Sequence, residues 1–226
     1  MSGSAVRTAL SQFRDRFRVG LHPSIHQTQS DTDVDRYPEI FEFVAAFANE
    51  MEGRPRLLSF GCSTGEECIT LRRYVPRSTI VGVDVRRSVL RTARERAEAS
   101  HVNDVSFFRE SDQRWQQQPY DVVFAMSVLC RWPATKDVRT SDRIYSFRTF
   151  DRAARRLAHL VKPGGGCLVI YNANYRFTDT DTSAAFTPLE VPGVSESGFV
   201  TKFSTNGVVL ENQSYPYSVF QRGAER

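Results

Sequence analysis

The chain of 226 residues predicts an α/β fold: a doubly wound, mostly parallel seven-stranded sheet with helices on both faces and an antiparallel C-terminal strand pair. Three observations carry this. From residue 56 onward, short apolar runs alternate with amphipathic stretches, the rhythm of strand–helix–strand units. The first apolar run ends in a glycine-bearing loop, residues 61–65, that leads directly into a helical pattern, an arrangement that places a helix N-terminus at the sheet edge. After residue 171 the composition shifts to Ser, Thr, Pro, Asn and Gly, followed by two β-like runs at 199–204 and 217–222, read as the antiparallel pair that closes the sheet.

Taken in order, residues 1–36 mix Arg, Ser, Thr, Asp and His and read as an arm or lid, with a short amphipathic helix at 8–19 carrying Leu10, Phe13 and Phe17. Residues 37–226 read as a single domain. Pro38 opens a helix whose apolar positions Ile40, Phe41, Val44, Ala45 and Phe47 recur at helical spacing, and Gly53 and Pro55 stop it. Strands are expected at 56–60, 79–84, 105–109, 120–125 and 166–171. Helices fill the gaps at 66–74, 88–99 and 147–160, and Lys162, Pro163, Gly164 and Gly165 form the turn into the fifth strand.

Composition narrows the classes. Four widely spaced cysteines, Cys62, Cys68, Cys130 and Cys167, suggest packed thiols rather than zinc ligands or a disulfide framework. No apolar run reaches the length of a membrane span and the polar start lacks a signal-peptide core, so a cytoplasmic protein without membrane partners is expected. The formal charge of +4 comes almost wholly from arginine, with only Lys136, Lys162 and Lys202 as lysines, and this makes a nucleic-acid partner the weaker reading. Nothing here assigns an oligomeric state.

The chemistry concentrates in LLSFGCSTGEE, residues 57–67. Small residues there let backbone approach a ligand, and the helix N-terminus offers unpaired N–H groups and partial positive charge. Some 20 residues on, the next strand ends in Asp84, delivering a carboxylate to the same edge, where it is able to accept from both hydroxyls of a ribose. Three readings compete. A nicotinamide dinucleotide site needs a second loop glycine where Ser63 stands. A hydrolase elbow, Gly-x-Ser-x-Gly, is matched literally by Gly61, Cys62, Ser63, Thr64 and Gly65, with His159 as a potential partner, but such an elbow follows a late central strand.

The third reading fits more of the chain. Over about 38–171 the pattern resembles the class I, Rossmann-like S-adenosylmethionine-dependent methyltransferase family, through FGCSTGEE, VGVDV, YDVVFAMSVL and LVKPGGGCLVI. The glycine loop is similar to that of the chemotaxis receptor methyltransferases, whose helical N-terminal domain has no counterpart here. The resemblance implies S-adenosylmethionine as cofactor. Gly61, Cys62, Ser63, Thr64 and Gly65 would line its methionine moiety, Glu66 would meet the ammonium, and Asp84 the ribose. Val85 and Arg86 would flank the adenine, with Ser111 or Asp112 at its amino group. Ala125, Met126 and Ser127 would form the floor beneath the sulfonium.

Methyl transfer needs no obligatory catalytic motif, and the sequence names no catalytic residue. A run such as Asn-Pro-Pro-Tyr, found in the family for base or glutamine amino groups, is missing after the fourth strand. The expected reaction is therefore methylation of a small molecule at oxygen or nitrogen, within a pocket shaped by residues 1–36 and 126–146. An RNA or protein methyltransferase, and a non-catalytic cofactor-fold binding protein, are the alternatives. Tyr171, Asn172, Asn174 and Tyr175 follow the fifth strand and are candidates for the acceptor pocket, as are Arg131 and Trp132, although Trp132 reads equally well as packing. His22 and His26 are expected on surface loops, with no third ligand to make a metal site. The tail aromatics Phe199, Phe203, Tyr215, Tyr217 and Phe220 are expected as strand core. The arginines of 72–73, 86–87 and 152–156 are expected on solvated faces.

Overall fold

The computed structural model describes residues 25–28 and 32–224, so the helix expected at 8–19 and His22 lie outside the described residues. Seven strands form one sheet: β1 (Arg56–Phe60), β2 (Thr79–Asp84), β3 (Val105–Arg109), β4 (Val122–Met126), β5 (Cys167–Tyr171), β6 (Phe186–Leu189) and β7 (Val219–Arg222). Their order is β3-β2-β1-β4-β5-β7-β6. The first five pair in parallel, and β7 runs antiparallel to both of its neighbours. Four helices accompany them: α1 (Pro38–Glu50), α2 (Glu66–Tyr74), α3 (Arg87–Ala99) and α4 (Phe147–Leu160).

Side-chain alternation divides the core between the two faces of the sheet. Leu57, Val122, Phe124 and Val169 face one side, where Ile40 and Val44 of α1, Leu71 of α2 and Leu90 of α3 complete a cluster. Leu58, Val123, Ala125, Leu168 and Ile170 face the other, packing on Phe150, Ala154 and Leu157 of α4 and on Trp115 and Tyr175. The inner parallel strands β1, β2, β4 and β5 are therefore buried on both sides and read as nearly unbroken apolar runs, while β3, at the edge, buries only Phe107.

The C-terminal strand pair differs from the expected one. The partner of β7 is Phe186–Leu189, not 199–204, where Phe203 makes only an isolated bridge to Val209. Pro188 is tolerated within β6 because this strand is the edge of the sheet, where a missing N–H costs no ladder bond. Nor is Phe199 strand core. It is 64% exposed; Phe220 alone is buried within a strand, whereas Phe203 and Tyr215 are buried outside the named strands and Tyr217 is half-buried.

Gly82 shows how tightly the layers beneath the glycine loop fit. A Cβ there would stand 2.6 Å from Cδ1 of Phe107 and 3.0 Å from Sγ of Cys62. Both neighbours are buried, so neither has room to retreat. Gly82→Ala is expected to lower stability by about 1–3 kcal/mol through overpacking, read as a reduced midpoint in urea with an unchanged denaturant slope.

Candidate functional site

Strand order reverses between β1 and β4, and the carboxyl ends of these strands border a cleft of about 850 Å³, its open mouth included. This is where open α/β sheets hold ligands. The loop after β1 is drawn toward β2 by two bonds, the N–H groups of Gly61 and Cys62 donating to the Val83 carbonyl at 2.8 and 3.0 Å. Gly61 adopts φ +80°, and a Cβ there would fall 2.4 Å from Cγ2 of Val128. Glycine is thus required both for the turn and for the close approach of the loop after β4.

Several chain reversals at this edge use left-handed residues that are not glycine: Ser63 (φ 49°), Ser127 (φ 54°) and Asn172 (φ 56°), following β1, β4 and β5. Polar contacts hold each of them. The N–H of Ser63 donates to Oδ2 of Asp84 at 3.2 Å, and that of Ser127 donates to the Tyr171 carbonyl at 2.9 Å. Oδ1 of Asn172 accepts from the N–H groups of Phe199 and Val200. Nδ2 of Asn172 donates to Oγ of Ser127, which also bonds the Tyr37 hydroxyl at 2.8 Å.

Of the residues expected to hold the cofactor, Gly61, Cys62, Ser63, Asp84, Val85, Arg86, Met126 and Ser127 line the cleft. Asp84 is buried, and its two oxygens accept from the N–H groups of Ser63 and Arg86. An ionised carboxylate has lone pairs beyond these two, available to ligand hydroxyls. Thr64, Gly65, Glu66, Ala125, Ser111 and Asp112 are not in the cleft wall. Thr64 donates to both oxygens of Glu66, and Glu66 is buried against Arg96. Gly65 packs on Ala93, and Ala125 is closed within β4. Ser111 is exposed, and Asp112 caps a short 3-10 turn while pairing with Arg114, whose bonds hold its carboxyl down at about 2. Glu110 takes their place at the cleft and pairs with Arg156.

Sequence reasoning passed over Glu67. It lines the cleft one position beyond Glu66 and accepts a hydrogen bond from the Ser59 hydroxyl at 2.7 Å. Burial pushes its carboxyl up to about 7, partly opposed by that bond, and no cation pairs with it among the described residues. Asp33, Glu67, Asp84 and Glu110 face only Arg36 and Arg86 across this cavity, a chemistry suited to a cationic ligand that also carries hydroxyls.

The arm supplies a roof. His26, Gln27, Thr32, Asp33, Arg36 and Tyr37 all border the cleft. His26 corrects the surface-loop expectation: it is 6% exposed, with Nδ1 2.7 Å from the Tyr145 hydroxyl. Nδ1 accepts the Tyr145 proton when the ring carries its own proton on Nε2, and donates to the hydroxyl oxygen in the other tautomer. Burial, then the charges of Arg131 and Arg156, lower the His26 pKa to about 4, so the ring is neutral near pH 7. His159 lies exposed at the end of α4, beside the start of β4 and across the sheet from Ser63, which removes the hydrolase reading.

Asn172, Asn174 and Tyr175 do not reach the cleft. Asn174 ties Arg131, Thr135 and Thr201 together, Tyr175 is core, and Tyr171 stacks on Tyr37 with centroids 4.7 Å apart. Trp132 meets Phe199 edge-on at 5.7 Å. No group of His, Cys, Asp and Glu suited to a metal occurs among the described residues, and no helix among them is long and apolar enough to cross a membrane.

Comparison with known proteins places this geometry in context. Residues 58–167 match the family model described as a methyltransferase domain. An uncharacterized protein of a Synechococcus strain is 29% identical over 130 residues, covering 57% of this chain and 28% of that protein. A tRNA (guanine-N(7)-)-methyltransferase of Chloroflexus aurantiacus is 30% identical over 130 residues, covering 57% of this chain and 56% of that protein. The chain matches about half the length, or less, of these curated relatives. A solved O-methyltransferase family protein of Burkholderia thailandensis aligns with a TM-score of 0.45 at 16% identity, covering 83% of this chain and 57% of that one.

His26 gives a measurable consequence. Its pKa is near 6.5 in the unfolded chain and about 4 when folded. Between those values the unfolded state binds the extra proton, so stability falls as pH drops from 6.5 toward 4, by at most about 1.4 kcal/mol per pH unit. Glu67 contributes the opposite slope between its ordinary value and 7. Comparing urea unfolding of the wild type with His26→Gln across pH 4.5–6.5 isolates the histidine: the variant should lose less stability on acidification.

Proposed function

We propose, from the match of residues 58–167 to a methyltransferase domain and the class I, Rossmann-like pattern of the sequence, that the protein transfers a methyl group from S-adenosylmethionine to a small-molecule acceptor at oxygen or nitrogen. The observation that carries this reading is the joint presence of Asp84 and the cation-free carboxylate of Glu67 in one cleft beside the Gly61 turn. The residues fit that ligand. Gly61 makes the turn that brings the loop backbone to the cleft wall, Asp84 keeps acceptor capacity for a ribose, and Glu67 has no cation paired with it among the described residues.

When bound, S-adenosylmethionine supplies a methyl group activated on a sulfonium and open to in-line displacement. The protein's part is binding and alignment, which for two held reactants is worth about 7–11 kcal/mol in favourable cases. Backbone of Gly61, Cys62 and Ser63 lines the methionine portion, and Glu67, rather than Glu66, faces its ammonium. Asp84 accepts from the ribose hydroxyls, Val85 and Arg86 flank the base, and Met126 and Ser127 form the floor. Thr64, Gly65, Glu66 and Ala125 support the loop and strand from behind. The roof of His26, Gln27, Thr32 and Tyr37 excludes water and favours an acceptor small enough to fit beneath it.

The match to a tRNA methyltransferase favours a second reading, an RNA acceptor. Methyl transfer to bulk tRNA, with none to any pool of small molecules, would replace the first reading with the second.

Two measurements test the cofactor assignment. Asp84→Asn is expected to weaken S-adenosylmethionine binding by at least about tenfold, since hydrogen bonds to a charged group contribute about 1.5–3 kcal/mol, with the unfolding midpoint little changed. Calorimetry that finds equal affinity would remove Asp84 from the site. Glu67 is partly protonated just below pH 7, and binding a cation displaces that proton. Affinity should therefore rise with pH between 5 and 7, and Glu67→Gln should flatten the rise.

A further inference from the structure

A second cavity of about 510 Å³, its open mouth included, adjoins the proposed cofactor cleft, with His26, Phe60 and Glu110 lining both. Its remaining wall comes from α4: Thr149, Arg152, Ala153, Arg156 and Leu157. Phe60, Ala153 and Leu157 make one side apolar, and cationic groups surround the rest. Arg156 is already engaged, by Glu110, by Gln116 at 3.1 Å and by the face of Trp115 at 4.6 Å. Arg152 has no hydrogen-bond or ion-pair partner among the described residues and so is the cation of this wall left for a ligand. His26, kept neutral by burial, lines the cavity as well and offers an Nε2–H donor when its Nδ1 accepts from the Tyr145 hydroxyl.

We propose that this second cavity receives the anionic end of the methyl acceptor, a small molecule with an apolar body and a carboxylate or phosphate group held by Arg152 and by Nε2–H of His26. The apolar body lies against Phe60, Ala153 and Leu157. This inference rests on the methyltransferase reading, and the test separates the two.

The protein loaded with S-adenosylhomocysteine is titrated calorimetrically with a set of aryl carboxylates and aryl phosphates and with the matching neutral amides and phenols. At least one oxyanion should bind while its neutral counterpart does not, and whether carboxylate or phosphate binds better names the group. Arg152→Gln should weaken that binding by about tenfold or more and leave S-adenosylhomocysteine affinity within about twofold. Arg73→Gln, which removes an unpartnered exposed cation from α2, should change neither. Equal binding of the neutral compounds, an unaffected Arg152→Gln, or no oxyanion binding by the loaded protein overturns the proposal. So does oxyanion binding seen only without S-adenosylhomocysteine, because the cavity then belongs to the cofactor. Tight, salt-sensitive binding of a single-stranded RNA oligomer in place of the small oxyanions would likewise overturn it. Failure of the wild type to bind S-adenosylhomocysteine at all would strike the parent reading instead.

Discussion

The site depends on how three neighbouring parallel strands end. β1, β4 and β5 each give way at the same edge to a left-handed residue, and at Ser63, Ser127 and Asn172 that residue carries a side chain. Conformations of this kind cost of order 1 kcal/mol or more each and persist only where their surroundings fix them. Here the fixing contacts are themselves parts of the cleft. Asp84 holds the backbone of Ser63, and Ser127 is tied to Tyr37 and to Asn172, which in turn holds the 199–200 backbone. Two hydrogen-bonded groups thus hold the strained residues, and each of them includes side chains of the cleft wall.

Charge is distributed unevenly over this frame. The cleft at the sheet edge holds a surplus of carboxylates, whereas the adjoining cavity holds Arg152 and Arg156 against Glu110 alone. Glu110 and Arg156 pair at the boundary, with neutral His26 between the two regions. A site divided in this way suits two ligands of opposite charge brought side by side. It also gives each a reason to avoid the other's place, since misplacement would set like charges together.

Much of the fold was legible because burial on both faces writes parallel strands as apolar runs. β1, β2 and β3 and helices α2 and α4 fall where their patterns place them. The edge of the sheet was not legible. Pro188 hid β6, since a proline argues against a strand unless the strand is known to be an edge, while Phe199 and Phe203 mimicked strand alternation by packing on loops. Within the site, Asp84 and the glycine loop were readable because strand and turn chemistry fix them locally. The choice between Glu66 and Glu67 was not, because about 100° of helical rotation separates adjacent residues and only the position of Arg96 shows which one faces inward. Nothing local identified His26 or Tyr37 either. Their partners, Tyr145 and Ser127, lie 119 and 90 residues away in the chain.

The strap at residues 25–28 is tied to the body by three polar contacts: the Ile25 carbonyl to Arg131, His26 to Tyr145 and Gln27 to Cys130. Ordering four residues of backbone costs about 1–2 kcal/mol each, and a hydrogen bond returns a net of only about 0.5–1.5 kcal/mol. Burial of the His26 ring has to cover most of the difference. The strap is consequently among the least stable units of the described structure, far below the doubly buried strands beneath it, and amide protons there should exchange through local opening that leaves the sheet closed. Such an opening would uncover the part of the cleft wall formed by His26 and Gln27 without rearranging the sheet.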